Sequence, residues 1–479
     1  MEGPMYVGTV TGINRSPATE TAKAISARKR TSQHNRSRND VSSSDDCIFF
    51  HSELKFLNPG VMAGLNLRHI KVSAPGKIIL HGEHAVVYQK TAIALSLGLR
   101  TRLDLRETND GRVTIFMERF FKEITWKTDD LTSLLETTKV DAETLETTLD
   151  QELLDRLQQL VGSSLIQDVG IGNGDGSDVQ FRVEAAKLKD PSTQSIALVG
   201  FLYLLIKLCK LAGRSTVPSL SFAIQSEIAI GAGLGSSASL AVCLASAILA
   251  FLGVIVVDAK TCRDSVGKLV PQADQLALIN HWAFLVDKII HGNASGIDNS
   301  VSTYGGVIKF ANGQMTRVQS RLKLDVVVVD TGVERNTKRM VEIVRRRKKL
   351  YPLIINPILD AIDGISNTSF TLLQHGNGSP TAEEYEALSE LISINQHLLC
   401  VLGVSHPGLD AICATAARLG QAAKLTGAGG GGCAIVVLDP DIIKFERLRE
   451  SMMTEFRQLE FKPHTADLGG PGVLFHPVS

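Results

Sequence analysis

Hydrophobic positions along this chain change their period several times, and each period predicts a different element. Strand-like runs come early: "HIKVSAP" is stopped by Pro75, "TAIALSLGLRTRLDLRE" alternates in its second half, and "PSLSFAIQSEI" leads into a cluster of glycines. Helical spacing with many exposed acids marks Asp141 to Val161, and Pro191 to Leu211 reads as a mostly apolar helix. Further on, "GGVIKF", "LDVVVVD" and "CAIVVL" read as strands, Arg339 to Lys349 as a basic helix, and residues 382–402 and 408–420 as helices. This mixture, with a break near residues 311–323, predicts two α+β domains.

Two uncharged stretches raise the question of a membrane. Ile196 to Ile206 is too short for a span, and Lys207 and Lys210 interrupt its continuation. Ala238 to Val257 runs twenty residues without a charge, but its Ala, Ser and Gly content and the glycine loop that opens it fit a helix buried between protein layers. No membrane span is therefore expected.

Composition narrows the class. Of 479 residues 44% are hydrophobic, enough for two or three domains with a substantial core, and 50 Lys and Arg balance 50 Asp and Glu. A net charge of zero sets up no field toward nucleic acid or anionic lipid, so no nucleic-acid partner is expected. The seven cysteines, at 47, 209, 243, 262, 400, 413 and 433, form no C-x-x-C pair and sit mostly in apolar segments, the pattern of reduced thiols in a cytoplasmic protein. The N-terminal stretch differs from the rest. Between Arg15 and Arg38 lie seven basic residues, one acid and almost no large apolar side chains, so residues 1–68 are expected to be a disordered extension. A mitochondrial-type presequence shares this Arg- and Ser-rich composition but needs an apolar helix face that is missing here.

Candidate chemistry concentrates where glycines do. "GAGLGSSA", Gly231 to Ala238, leads from a strand into a helix. Glycines remove side chains where the backbone approaches a ligand, and the first N–H groups of a helix have no partners, so the loop suits a phosphate. Ser236 or Ser237 then caps the helix or ligates a phosphate-bound metal; an ordinary serine N-cap on a core helix is the plainer alternative. Neither this loop nor "APGKIILHG" contains the G-x-x-x-x-G-K-[ST] of a P-loop. "GAGGGG", Gly427 to Gly432, matches the dinucleotide string G-x-G-x-x-G, but a helix precedes it and a strand follows, the reverse of the context that string needs. Close packing between elements is the other use of such a run. Lys77 follows a strand and turn, Glu83 and His84 stand in an otherwise apolar segment, and Asp298 lies in a Gly- and Ser-rich loop. Each has a plain reading, as an exposed lysine, a satisfied core histidine or a turn aspartate. "HGEH" lacks the spacing of a zinc site, and "RRRKK" at 345–349, without interleaved aromatics, fits a solvated helix face.

Taken in order, "APGKIILHGEHAVV", "GAGLGSSA", "HGNASGIDN" and "KLTGAGGGGCAIVV" make the chain from about Lys71 onward resemble the superfamily of galactokinase, homoserine kinase, mevalonate kinase and phosphomevalonate kinase. The Gly-Glu-His, "VERNTK" at 333–338 and "NQHLLCVLGVSHPGLD" at 395–410 are similar, within it, to the mevalonate kinases of animals. The resemblance implies a two-domain α+β small-molecule kinase fold. A nucleotide-binding domain (69–316) with a left-handed β-α-β unit is followed by a ferredoxin-like domain (317–479), whose last strand returns to the first domain. It also implies ATP-dependent phosphorylation of the terminal hydroxyl of mevalonate, with Mg²⁺, for isoprenoid and sterol synthesis. A cytoplasmic homodimer and inhibition by isoprenoid diphosphates belong to the same set of expectations.

Carried over by position, the resemblance has Gly231, Gly233, Leu234, Gly235, Ser236, Ser237 and Ala238 wrap the ATP phosphates, with Ser237 on Mg²⁺. Asp298 is the catalytic base and Lys77 its charge-neutralising partner. Glu83, His84, Arg335 and Thr337 line the substrate side, and Gly427, Ala428 and Gly429 close over it. One position departs from the pattern. Asp287 stands where those kinases carry a Mg²⁺-ligating Glu, a shorter side chain for an ion that demands near-octahedral geometry. A sister kinase for galactose, homoserine or phosphomevalonate and a catalytically inactive ligand sensor are the alternatives. The Gly-Glu-His and "VERNTK" weigh against the first, and retention of Lys77, Ser237 and Asp298 against the second.

Overall fold

Pro75 does not stop the first strand. His69–His81 runs through it, with a register shift between Pro75 and Gly76 that accommodates the missing N–H. The computed structural model describes residues 69–117, 121–139, 148–167, 191–257, 269–292, 294–318, 321–322, 324–375, 377–378, 380–443 and 446–478. The expectation for residues 1–68 lies outside them, as does the beginning of the helix expected from Asp141; the described helix there is Gln151–Gln167.

In chain order the elements are β1 (His69–His81), β2 (Ala92–Glu107), β3 (Arg112–Met117), β4 (Phe121–Lys127), α1 (Thr128–Thr137), α2 (Gln151–Gln167), α3 (Pro191–Leu211) and β5 (Leu220–Ser226). Then come α4 (Ser236–Phe251), α5 (Ala273–His291), α6 (Ile297–Tyr304), β6 (Val307–Ala311), β7 (Gln314–Val318), β8 (Arg321–Leu322) and β9 (Leu324–Asp330). The remainder is α7 (Thr337–Leu350), α8 (Pro352–His375), β10 (Asn377–Gly378), α9 (Ala382–Leu402), α10 (Pro407–Arg418), β11 (Ala422–Leu425), β12 (Cys433–Val437), α11 (Pro440–Ile443), α12 (Glu446–Gln458), β13 (Lys462–Leu468) and β14 (Leu474–His476).

One sheet of twelve strands runs β11-β12-β9-β13-β2-β5-β3-β4, with β1 pairing both β2 and β14, and the β6–β7 hairpin attached to β2. β3 and β5 are parallel, their connection passing through β4 and α1–α3. β13 lies between β9 and β2 and so joins the two halves of the sheet.

The uninterrupted apolar run "LDVVVVD" is explained by its place in this sheet. Val326 and Val328 of β9 pack with Ile78, Leu95, Phe370 and Leu388, while Val327 and Val329 pack with Leu402, Leu409 and Phe456 on the other face. A strand covered on both sides has no polar face to show. Helices α3 and α4 are apolar for the same cause: their side chains belong to a third cluster with Trp282, Phe222 and Leu103. The small residues of α4 let it sit against both β1 and α5. Among the described residues one helical stretch, Gln194–Leu211 with mean hydropathy 1.6, is long and apolar enough to cross a membrane. It lies in this core, with Lys207 inside it paired to Asp150 at 2.9 Å. At 16 residues α4 is shorter than a span.

Candidate active site

After β5 the chain turns through Gly231, Gly233 and Gly235, all with φ between 74° and 85°, before Ser236 opens α4. Only glycine adopts this left-handed backbone without strain. Gly235 is the N-cap and no side chain caps the helix, so the serine-cap alternative is not realised and the Ser237 hydroxyl is directed elsewhere. The loop closes on β1. The Leu234 carbonyl accepts the Lys77 backbone N–H at 2.8 Å. A Cβ on Gly76 would lie 2.7 Å from that carbonyl oxygen, and one on Gly235 2.9 Å from Lys77 Cγ. Held in this way, Lys77 is only 4% exposed; its Nζ donates to the Gly233 carbonyl at 3.3 Å and pairs with Asp298 Oδ1 at 3.1 Å.

Asp298 stands in the first turn of α6, whose N-cap Gly296 has φ 78°. Its neighbour Asn299 turns inward and donates to Asn280 Oδ1 on α5 at 2.7 Å, which pins α6 to α5. From α5 come Asp287 and, one turn later, His291. His291 Nε2 lies 3.0 Å from Ser237 Oγ and 3.6 Å from Asp287 Oδ1, so the two predicted metal ligands meet around one nitrogen. Burial, reinforced by the Asp298 charge and opposed by Lys77, pushes the Asp287 carboxyl up to about 7. Burial also lowers His291, against the pull of Asp298.

Arg335 comes from the loop between β9 and α7. A Cβ on Gly427 would lie 2.7 Å from its Nη1, one on Gly432 would lie 3.2 Å from its Cδ, and one on Gly233 would overlap the guanidinium. The arginine thus fills a slot floored by glycines of both glycine-rich loops. Burial lowers its pKa and the charge of Asp298 opposes the shift.

Glu83 and His84 diverge although they are adjacent, because His84 takes φ 61°. Its Nε2 donates to the Ala428 carbonyl at 2.9 Å, and burial lowers the ring's pKa, favouring the neutral tautomer with Nδ1 as acceptor. Glu83 goes inward, 1% exposed, to pair with buried Lys424 and accept from Asn395 Nδ2 at 3.2 Å. Burial raises its carboxyl and Lys424 opposes the rise. Gly429 presses on the Val404 carbonyl, which accepts the Gly430 N–H at 2.8 Å. Thr337 is exposed as the first residue of α7.

Lys77, Ser237, Asp287, Asp298 and Arg335 are therefore brought together, with His84 and Gly427–Gly429 beside Arg335 and Glu83 beneath them. Sequence reasoning gave no role to His291, although it opens the "HGNASGIDN" block and stands four residues after Asp287. It also missed Lys424 and Asn395, since a lysine in "AAKLTG" reads like any strand lysine.

Residues 200–306 match the GHMP kinases N terminal domain, and residues 381–448 match GHMP kinases C terminal. The chain is 38% identical over 412 residues to the mevalonate kinase of Mus musculus and 37% identical to that of Homo sapiens, covering 85% of this chain and 95% of each relative. The crystal structure of the Methanococcus jannaschii mevalonate kinase shares the fold, with a TM-score of 0.58 over 83% of this chain and 98% of that one at 20% identity.

Proposed function

The chain belongs to the mevalonate kinase family of the GHMP kinases, and we propose that Lys77 and Asp298 carry its chemistry, transfer of the ATP γ-phosphoryl group to the terminal hydroxyl of mevalonate. The observation that supports this most is the 3.1 Å pairing of a buried lysine with a carboxylate beside a glycine loop that opens a helix.

Phosphoryl transfer passes through a loose, in-line transition state, so positioning and charge neutralisation outweigh covalent work by the protein. Asp298 accepts the proton of the attacking hydroxyl. Lys77 offsets charge on the attacking oxygen and on the transferring group. The N–H groups at the start of α4 hold the phosphates that Gly231, Gly233 and Gly235 admit. Arg335 meets the substrate carboxylate, and His84, Thr337 and Gly427–Gly429 complete that side.

Ser237 and Asp287 fit Mg²⁺. Both offer hard oxygen donors near one point, and the buried Asp287 carboxylate gains from a cation. Mg²⁺ commonly takes only one or two protein oxygens, the rest of its shell coming from phosphate and water, which a serine and an aspartate can supply. Bound there, the ion neutralises phosphate charge. The same reading divides the domains at residues 316 and 317, makes the protein a cytoplasmic homodimer, and has isoprenoid diphosphates compete at the nucleotide loop.

The test is ADP release from Mg·ATP with (R)-mevalonate, galactose, homoserine and phosphomevalonate side by side, with Asp298→Asn as control. Turnover of mevalonate alone, lost in the variant, is expected; preference for another alcohol would overturn the substrate.

A further inference from the structure

Beneath the glycine run lies a buried polar cluster that phosphoryl transfer itself does not use. Lys424 on β11 pairs with Glu83 and also donates to the Leu425 carbonyl at 2.7 Å, while Asn395 on α9 donates to the other Glu83 oxygen at 3.2 Å. Two further links flank this one. The Thr426 hydroxyl donates to the Ile79 carbonyl at 2.9 Å and accepts the Ile79 N–H at 3.1 Å, and His84 donates to the Ala428 carbonyl at 2.9 Å. Three rungs therefore tie the end of β1 and the turn after it to residues 424–428, and Glu83 is the rung next to His84.

His84 holds φ 61°, where a side chain with a Cβ is strained and persists only if its surroundings over-determine it. A carboxylate anchored from two elements, one residue away, is such a surrounding. Moreover, a buried ion pair gives little net stability over apolar side chains of the same volume, which leaves orientation as its contribution.

We propose that Lys424 and Asn395 are positioning residues. Acting through Glu83, they hold His84 in its positive-φ conformation and thereby fix residues 427–432 over the substrate side of the site. The kinetic half of this inference rests on the mevalonate kinase reading; the structural half does not.

The double variant Glu83→Gln/Lys424→Met removes both charges without leaving either unpaired. Its melting temperature is expected within a few degrees of wild type, while amide hydrogen exchange in residues 426–432 speeds by about tenfold or more. The KM for mevalonate is expected to rise about tenfold, with kcat and the KM for ATP changed less than about threefold. Unchanged exchange, or faster exchange with an unchanged mevalonate KM, overturns the proposal. If the double variant does not fold, Asn395→Ala, which keeps both charges, is judged by the same two readouts. If the wild-type chain does not turn over mevalonate, the substrate reading fails and the exchange comparison alone decides the positioning role.

Discussion

Asp298 and Lys77 touch, yet they fail differently when replaced. Asp298→Asn keeps the shape and removes the base, so kcat is expected to fall about 10²- to 10⁴-fold while ATP binding stays within about threefold; steady-state kinetics with nucleotide titration checks this. Lys77→Met is expected to lower kcat with little change in the KM for ATP, and an effect confined to that KM would remove Lys77 from the chemical step. Gly427→Ala tests the arginine slot. Its Cβ would lie 2.7 Å from Arg335 Nη1 on a backbone at φ 80°, so the mevalonate KM is expected to rise about tenfold with the fold retained. His81 speaks to pH. It is fully buried, its ring finds no hydrogen-bond partner among the described residues, and burial holds it well below 6.5. The unfolded chain binds a proton there that the folded chain refuses, so below pH 6.5 stability falls by up to about 1.4 kcal/mol per pH unit from this group. Urea midpoints at pH 6.5 and 5.0, compared with His81→Phe, should show a flatter dependence in the variant. Lys77 and Asp298 were legible in the sequence because each sits in a motif. The parting of Glu83 from His84 was not, since it depends on one backbone angle that tertiary contacts impose.

At the scale of elements, the all-round apolarity of α4 has a mechanical use. The helix that the glycine loop opens is wedged among β1, β2, α5 and α6, and its small residues set how near it sits. Ala245→Leu, at a fully buried position, is expected to cost about 1–3 kcal/mol by overpacking, read by denaturant unfolding. Helix α9 relies on local chemistry instead: Thr381 and Glu384 form a reciprocal capping box, and Thr381→Ala is expected to cost about 1 kcal/mol without touching kcat. Period found α9, and unbroken apolar runs found β9 and α3. Neither found β1 beyond Pro75 or α8, where Pro352 opens the helix and Pro357 lies inside it. Proline reads as a breaker, and only the surrounding sheet and core show where a strand or helix tolerates it.

The whole molecule is organised by pairings that no local pattern announces. β13 bridges the two halves of the sheet, and β14 covers the open side of β1, Lys71 opposite His476 and Ser73 opposite Leu474. Just before β14, the Val473 N–H donates to the Thr303 carbonyl of α6 at 3.0 Å, and Arg100 donates to the carbonyls of Pro471 and Gly472. The segment 471–476 therefore braces both the strand that carries Lys77 and the helix that carries Asp298. Removing residues 471–479 is expected to lower the melting temperature and kcat together, measured by thermal scanning and ADP release. Ser73 and its partner His476 stand 403 positions apart. During synthesis the lysine strand leaves the ribosome long before the residues that fasten it to the aspartate helix. The strand of Lys77 and the helix of Asp298 are thus fastened to each other only once residues 471–476 have been made and have docked.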